Sequence, residues 1–318
     1  MPDRSPDADA IAHVLGELFP GGVVEGLERL TGGASRSTWR CAVDRQPYVV
    51  QRQRADAAGR DMTIEAQLLV AADHDGVPVP RVVGCITDGE GVTSLVSRYV
   101  AGETIARRIL RDDRFVDARD VLTRQLGEAA ARLHRIDPAT VPGLAPVDPL
   151  TSIVARLDEL GEPHPAFELA LRWLADNRPA GTRTDAVVHG DFRLGNVIVD
   201  ERGLAAVLDW ELAHLGDPAE DLGWLCSPAW RFGSPLPVAG VGERDELLHA
   251  YASVSGVEID PVTLHWWEVC AILRWGVICI GQADAHRSGA ARSHELAAIG
   301  RRVCETEHDL FLALEGRW

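Results

Sequence analysis

His189-Gly190-Asp191-Phe192-Arg193-Leu194-Gly195-Asn196 and, a few residues on, Leu208-Asp209-Trp210-Glu211-Leu212-Ala213-His214-Leu215-Gly216-Asp217-Pro218 decide how this chain is read. Between them lie a β-like run at 197–199, a turn at Glu201-Arg202-Gly203 and a second β-like run at 205–208. That is a hairpin, and it returns Asp209 at a strand end towards the loop that carries Asp191 and Asn196. Taken alone, His-Gly-Asp is a turn and Asp209 a helix cap. The chain has only two Asn, at 177 and 196, and one of them stands five residues after Asp191. With Asp209 following the hairpin, the functional reading outweighs the bland one.

Such a set suits phosphoryl transfer. The transition state is loose and its charge is spread over oxygens, so catalysis needs positioning and charge rather than covalent chemistry. A carboxylate must orient the attacking hydroxyl and take its proton, which fits Asp191. Oxygen ligands must hold Mg²⁺ across the phosphates, which fits Asn196 and Asp209. The layout matches the His-Arg-Asp loop and following metal Asp of protein kinases, with Gly190 in place of the Arg.

On these two motifs, at 189–196 and 208–218, the chain resembles the aminoglycoside phosphotransferase family of kinase-like enzymes. Within it the likeness is to the subgroup that includes the kinase-like domain of acyl-CoA dehydrogenase fusion proteins. The resemblance covers about residues 25–310. It implies an α+β, protein-kinase-like two-lobed fold with ATP or GTP as donor and Mg²⁺ as cofactor. The expected division is a nucleotide-binding lobe over 1–101 and a catalytic, acceptor-binding lobe over 102–318, parted near Gly102.

The first part of the chain has the expected order. A helical pattern at 7–19 precedes β-like runs at 24–30, 38–43 and 48–52, a helix over about 60–73, and strands at 81–86 and 93–100. The remainder is mostly helical, with segments at 116–135, 148–160, 166–177, 217–226, 243–255, 261–282 and 293–314, and a third short β-like piece at 186–189.

By that order, the loop Thr31-Gly32-Gly33-Ala34-Ser35-Arg36-Ser37 covers the phosphates. Gly32 and Gly33 would let backbone N–H groups approach, and Ser35 would add a hydroxyl donor. Glu65 stands mid-helix, where kinases keep the carboxylate that pairs with a strand-three cation. Backbone groups of Arg98 and Val100 would face the base from the hinge. The cation departs from the pattern: all 32 basic residues are Arg, and strand three reads Val49-Val50-Gln51-Arg52-Gln53-Arg54. Alternation lets only one of Gln51 and Arg52 face the cleft. The family register favours 51 and charge favours Arg52. Arg52 is the expected catalytic cation, paired with Glu65. Asp217 and Asp221 open a helix, where relatives in the family carry acids that brace the catalytic loop; they are read as structural, since carboxylates stabilise a helix start in any case, and His189 as a scaffold group rather than a base.

Composition narrows the rest. A net charge of −16 disfavours nucleic acid and anionic membranes as partners. No apolar run approaches membrane length, and the acidic first ten residues resemble no targeting segment, so a cytoplasmic enzyme acting on a small molecule is expected. Six scattered Cys without a C-x-x-C pair predict reduced, mostly buried thiols. On the helix at 261–282, Trp267, Cys270 or Ala271, Arg274 and Ile278 recur at helical spacing. That face suits a hydroxylated acceptor with an apolar body and an anionic group, such as a hydroxy acid or its thioester, over an aminoglycoside. The alternative is a core helix whose Arg274 pairs with Glu220 or Asp221. The rival for the whole chain is a pseudokinase that keeps the fold to sense nucleotide or bind a partner. It draws on the missing Lys, and Asp191, Asn196 and Asp209 stand against it.

Overall fold

A computed structural model describes residues 6–32, 36–53 and 61–317. The chain opens with α1 (Pro6–Leu18), then β1 (Val24–Gly32), β2 (Arg36–Val43), β3 (Gln46–Gln53), α2 (Met62–His74), β4 (Val82–Thr87) and β5 (Thr93–Arg98). The five strands form one antiparallel sheet in the order β1-β2-β3-β5-β4. The β2–β3 turn is a tight two-residue one, with Asp44 and Arg45 both at positive φ (51° and 66°), the hand that matches strand twist.

Alternation along β2 and β3 decides what each face carries. Trp39, Cys41, Val43, Tyr48 and Val50 point to one side and are covered by Ile11, Val14 and Leu15 of α1. Each such aliphatic burial is worth about 1.5–3 kcal/mol. Arg36, Thr38, Val49 and Gln51 point to the other side, since Thr38 pairs with Gln51 and Gln51 with Leu95, which packs in the same core as Leu68 and Leu69 of α2.

The larger, mainly helical part follows. It comprises α3 (Ala106–Arg111), α4 (Val116–Leu133), α5 (Pro149–Leu160), α6 (Pro165–Asp176), β6 (Ala186–Val188), β7 (Val197–Asp200), β8 (Gly203–Val207), β9 (His214–Gly216), α7 (Pro218–Cys226), α8 (Arg244–Ser255), α9 (Pro261–Ser288), α10 (His294–Gly300) and α11 (Val303–Leu314). Asp-Pro pairs start three helices: Asp148, Asp217 and Asp260 each accept a bond from a first-turn N–H, and the next Pro supplies preset φ. The architecture is the expected two-lobed α+β, protein-kinase-like fold. The segment joining sheet and helices packs onto β7 through Glu103, whose N–H and C=O both bond Val199. Gly102 permits that approach: it sits at φ +153°, and a Cβ there would lie 2.4 Å from Ile198 Cγ2.

Three elements depart from the sequence reading. The 293–314 segment is two helices, α10 and α11, with a break after Gly300, which lies against Ala283 of α9. Helix α9 runs six residues past 282, to a left-handed Gly289. Strand β9 was hidden in the motif at 208–218; it is three residues long and pairs with β6. Against the expectation that no apolar run nears membrane length, α9 is long and apolar enough by composition, and 72% of that stretch is buried inside the protein. It is the core helix against which α5, α6, α7 and α11 pack. All six cysteines are free thiols; four are buried, Cys85 is half-buried and Cys304 exposed.

Candidate active site

The hairpin β7–β8 and the loops on either side bring Asp191, Asn196 and Asp209 together. Gly190 makes the loop possible: its φ is +76°, and a Cβ would sit 2.5 Å from Leu212 O. Beneath it, fully buried Asp221 accepts the N–H groups of His189 (2.7 Å) and Gly190 (2.9 Å), and meets His134 Nε2 at 3.1 Å. Burial pushes the Asp221 carboxyl up, but the His134 bond and nearby His189 outweigh it and hold it below the ordinary range. Asp217 caps α7 and accepts Arg183 N–H as well. Asp221 thus braces the loop, whereas Asp217 fixes the helix start and the 183 backbone. His189 is a scaffold group: Nε2–H donates to Leu208 O at 2.9 Å, and Nδ1 accepts Asp191 N–H at 3.2 Å. Burial lowers its pKa and keeps it neutral, in keeping with that tautomer.

Asp191 is held on both oxygens. Trp224 Nε1–H donates to Oδ1 at 2.7 Å, Arg193 Nε lies 2.9 and 3.1 Å from the two oxygens, and Asn196 Nδ2 donates to Oδ2 at 2.6 Å. A group so fixed orients a partner more than it diffuses for a proton. Because Asn196 Nδ2 is committed to Asp191, its amide oxygen points away from that carboxylate.

Asp209 lies at φ +63°, a strained setting for a non-glycine residue and one found most at working sites. Burial, then the nearby charge of Glu211, pushes its carboxyl up to about 6, with Asp191 and Glu65 adding to the repulsion and Arg36 opposing it. Four carboxylates thus crowd one corner of the cleft. An excess of negative charge on hard oxygens is the chemistry that suits a divalent cation.

The cation corrects the sequence reading. Arg52 does not meet Glu65. It points to the outer face of the sheet, 5% exposed, where Nη2 lies 2.6 Å from Asp88 Oδ2 and Nη1 donates to Ser94 Oγ at 3.1 Å. The register of apolar Tyr48 and Val50 under α1 carries Arg52 with it, and strand period two leaves Gln51 on the cleft side. Glu65 instead meets Arg36. Nη1 lies 2.9 and 2.7 Å from its two oxygens, and Nη2 donates to Glu211 Oε2 at 2.9 Å. Glu65 also accepts the Trp210 N–H; burial pushes its carboxyl up and Arg36 works against that. Arg36 opens β2 and does not belong to the loop before it, and alternation with Thr38 is the sequence signal that sets it on the cleft face.

Gly32 ends β1, paired with Ser37; Gly33 and Ser35 lie outside the described residues. Arg98 ends β5, its N–H bonded to Arg81 O and its guanidinium over the Tyr48 ring, and Val100 follows in the connecting segment.

Next to Glu211 a cavity of about 350 Å³ opens between α5 and α9. Pro149, Ile153, Leu212, Val277 and Ile278 give it apolar walls, and Arg156, Arg274 and His214 add polar groups. Arg274 donates to Glu220 Oε1 at 3.1 Å and stacks over Trp224, so it both pairs within the core and faces the cavity. Trp267 and Cys270 belong to the core behind α9 and do not line it, a correction to the face read from helical spacing. A larger open groove of about 740 Å³ lies behind α2, lined by none of these residues.

Residues 26–259 match the model of the phosphotransferase enzyme family. The human protein acyl-CoA dehydrogenase family member 11 is 25% identical over an alignment covering 81% of this chain and 36% of that protein. The chicken protein of the same name is 28% identical over 44% of this chain. The chain spans only 8–36% of the length of the first curated relatives it matches. Among solved structures, a Ralstonia eutropha protein assigned to the aminoglycoside phosphotransferases superposes with a TM-score of 0.77 at 21% identity, covering 98% of both chains. Aminoglycoside 2′-phosphotransferase-IIIa, solved as a GDP complex, gives 0.67 at 15% identity, covering 94% of this chain and 98% of that one. Spectinomycin phosphotransferase with ADP and spectinomycin gives 0.67 at 12% identity, covering 98% and 99%.

Proposed function

Since the chain belongs to the phosphotransferase enzyme family, we propose that it is a magnesium-dependent kinase that moves the terminal phosphoryl group of ATP or GTP to a hydroxyl of a small molecule. One observation carries this reading: Asp191, Asn196 and Asp209 converge, with Asp191 clamped by Trp224, Arg193 and Asn196. That complete set disfavours the pseudokinase alternative. The nucleotide complexes of the structural relatives support the donor class.

In this mechanism Asp191 receives the acceptor hydroxyl and aligns it for in-line attack; as the bond from the acceptor oxygen to phosphorus forms, the bond from phosphorus to the bridging oxygen breaks, the nucleoside diphosphate leaves, and Asp191 takes the hydroxyl proton. The donors on Asp191 keep the carboxylate aimed. Asn196 Oδ1 and the Asp209 carboxylate would hold Mg²⁺, which neutralises phosphate charge when bound. The loop at 31–37 would cover the phosphates, with Gly32, Gly33 and Ser35 as its donors. The Arg98 and Val100 backbone would meet the base.

The cavity beside Glu211 is the acceptor pocket in this reading. Its aliphatic walls and the guanidinium groups of Arg156 and Arg274 favour an acceptor with an apolar body and an anionic group, such as a hydroxy acid or its thioester. Glu220 is engaged by Arg274 and His214, which weakens the pocket's appeal to a polycation such as an aminoglycoside. A panel of hydroxylated acceptors and aminoglycosides, followed by ATP consumption with and without Mg²⁺, tests the whole. Magnesium-dependent turnover of a hydroxy acid that falls at least tenfold in kcat/KM on Arg274→Ala is expected. Efficient aminoglycoside turnover indifferent to that substitution would remove the acceptor assignment. Calorimetry with MgATP tests the metal: Asp209→Asn should weaken binding more than Asn196→Ala, and unchanged affinity in both rejects the pair as ligands.

A further inference from the structure

We propose that Arg36 of β2 is the phosphate-side cation of this enzyme, gripping the donor nucleotide and holding Glu65 in place of the lysine that strand three lacks. The proposal rests on reading the cleft as a nucleoside triphosphate site. It begins from an absence in the sequence, since there is no Lys at all. On β3 the residues facing the cleft side are Val49, Gln51 and Gln53, none of them charged, while Arg52 is bound to Asp88 and Ser94 on the far side of the sheet. Among the described residues of β3 no charged side chain faces the cleft, so a cation there comes from another element.

Arg36 is placed to supply it. It is the first residue of β2, directly after the 31–35 loop, and it shares the cleft face with Thr38, the partner of Gln51. Diagonal neighbours across an antiparallel pair lie about 7–8 Å apart, well within the reach of an arginine side chain. So a guanidinium starting at position 36 can occupy the space that a strand-three cation would fill. It does so with 11% of its side chain exposed, against 3% for Glu65.

Its contacts match the task. Nη1 is bonded to both oxygens of Glu65, which ties β2 to α2, and Glu65 in turn accepts the N–H of Trp210, the residue after Asp209. Nη2 is bonded to Glu211, whose side chain is 36% exposed and lies at the acceptor cavity. One guanidinium thus spans the helix carboxylate on one side and the cleft on the other. Its planar fork suits two phosphate oxygens as well as it suits carboxylates, and a phosphate entering the cleft would compete with the exposed Glu211 for Nη2. A purely structural arginine would be expected to satisfy itself on buried partners alone. Here one of the two partners is open to solvent at the site where charge must be received.

The test is calorimetric titration of MgATP into the whole chain and its variants, with thermal melting alongside. Arg36→Gln should raise the Kd for MgATP at least tenfold. Adding Gln51→Lys to that variant, which returns a lysine to strand three, should recover most of the loss. A merely structural Arg36 would not be rescued from a different strand. An Arg36→Gln protein that binds MgATP as well as the unaltered chain overturns the proposal and leaves the kinase reading standing. So does Arg52→Gln losing more affinity than Arg36→Gln. An unaltered chain that binds no MgATP removes the kinase reading itself and this proposal with it. If Arg36→Gln fails to fold, the unaltered protein serves, treated with phenylglyoxal and mapped by peptide mass spectrometry. MgATP should slow modification of Arg36 several-fold and leave that of exposed Arg202, in the β7–β8 turn, unchanged. Equal rates at Arg36 with and without MgATP overturn the proposal.

Discussion

Arg36 and Arg52 stand on opposite faces of the β2–β3 ribbon, and the two have opposite fates. On the outer face Arg52 is closed in by Asp88 and Ser94 beneath α1, with Asp7 of α1 at 4.0 Å and Tyr48, Val50, Trp39 and the helix aliphatics on the same face. On the inner face Arg36 joins Glu65 to Glu211 at the edge of the cleft, among the carboxylates that crowd Asp209. The same side-chain chemistry serves folding in one case and charge placement in the other. What separates them is where their partners stand. Arg52 holds Asp88, with Asp7 at 4.0 Å, on the far side of the sheet, whereas Arg36 stands among Glu65, Glu211 and Asp209 on the cleft side.

If that contrast is right, substitutions should sort by depth in the cleft. The largest effect belongs at its floor. Asp191→Asn should lower kcat by about 10²–10⁴-fold, the usual worth of a positioned acid or base, with melting temperature and MgATP affinity nearly unchanged. Steady-state kinetics against a turned-over acceptor measure it, and near-normal turnover would collapse the distinction between the faces.

One layer below, Asp221→Ala should affect both properties at once. It leaves the N–H groups of His189 and Gly190 and the His134 ring without a buried acceptor, at a cost of about 3–5 kcal/mol in a urea melt, and the loop that holds Asp191 loosens. A stable Asp221→Ala protein with full activity would mean that the loop is held from elsewhere.

The smallest and sharpest effect is on the outer face. Arg52→Gln should cost about 1–3 kcal/mol of stability through the lost bonds to Asp88 and Ser94. The KM for ATP should stay within twofold of the unaltered value. A stable Arg52→Gln protein with a much raised KM would erase the comparison, because the outer arginine would then be reaching the nucleotide.

The catalytic loop was legible residue by residue. Asp191, Asn196 and Asp209 lie on one hairpin and its flanks, so local spacing suffices to bring them together. Gly190 announced a backbone that no side chain tolerates, and Asp217-Pro218 announced a helix start whose second acid, Asp221, braces the loop. Helix α9 was legible as a helix, but not the side on which Trp267 and Cys270 would be buried, because every side of it meets another element. Strand β9 was illegible: three residues carry no period of their own, and His214–Gly216 becomes a strand only because β6 is there to pair with it.

By itself, then, the sequence determined the two-lobed kinase-like architecture, the local geometry that brings residues 191, 196 and 209 together, and the fact that no lysine could serve. These follow from local geometry, where turn residues, strand period and fixed offsets act within a dozen positions. Only the tertiary structure decided which arginine meets Glu65. Residues 36, 52, 65 and 211 are joined by strand register and by the packing of α1 on one side of the sheet and α2 on the other. A shift of one residue in that register would exchange the faces, and charge alone, being long-ranged and without direction, carries no information about which face it will occupy.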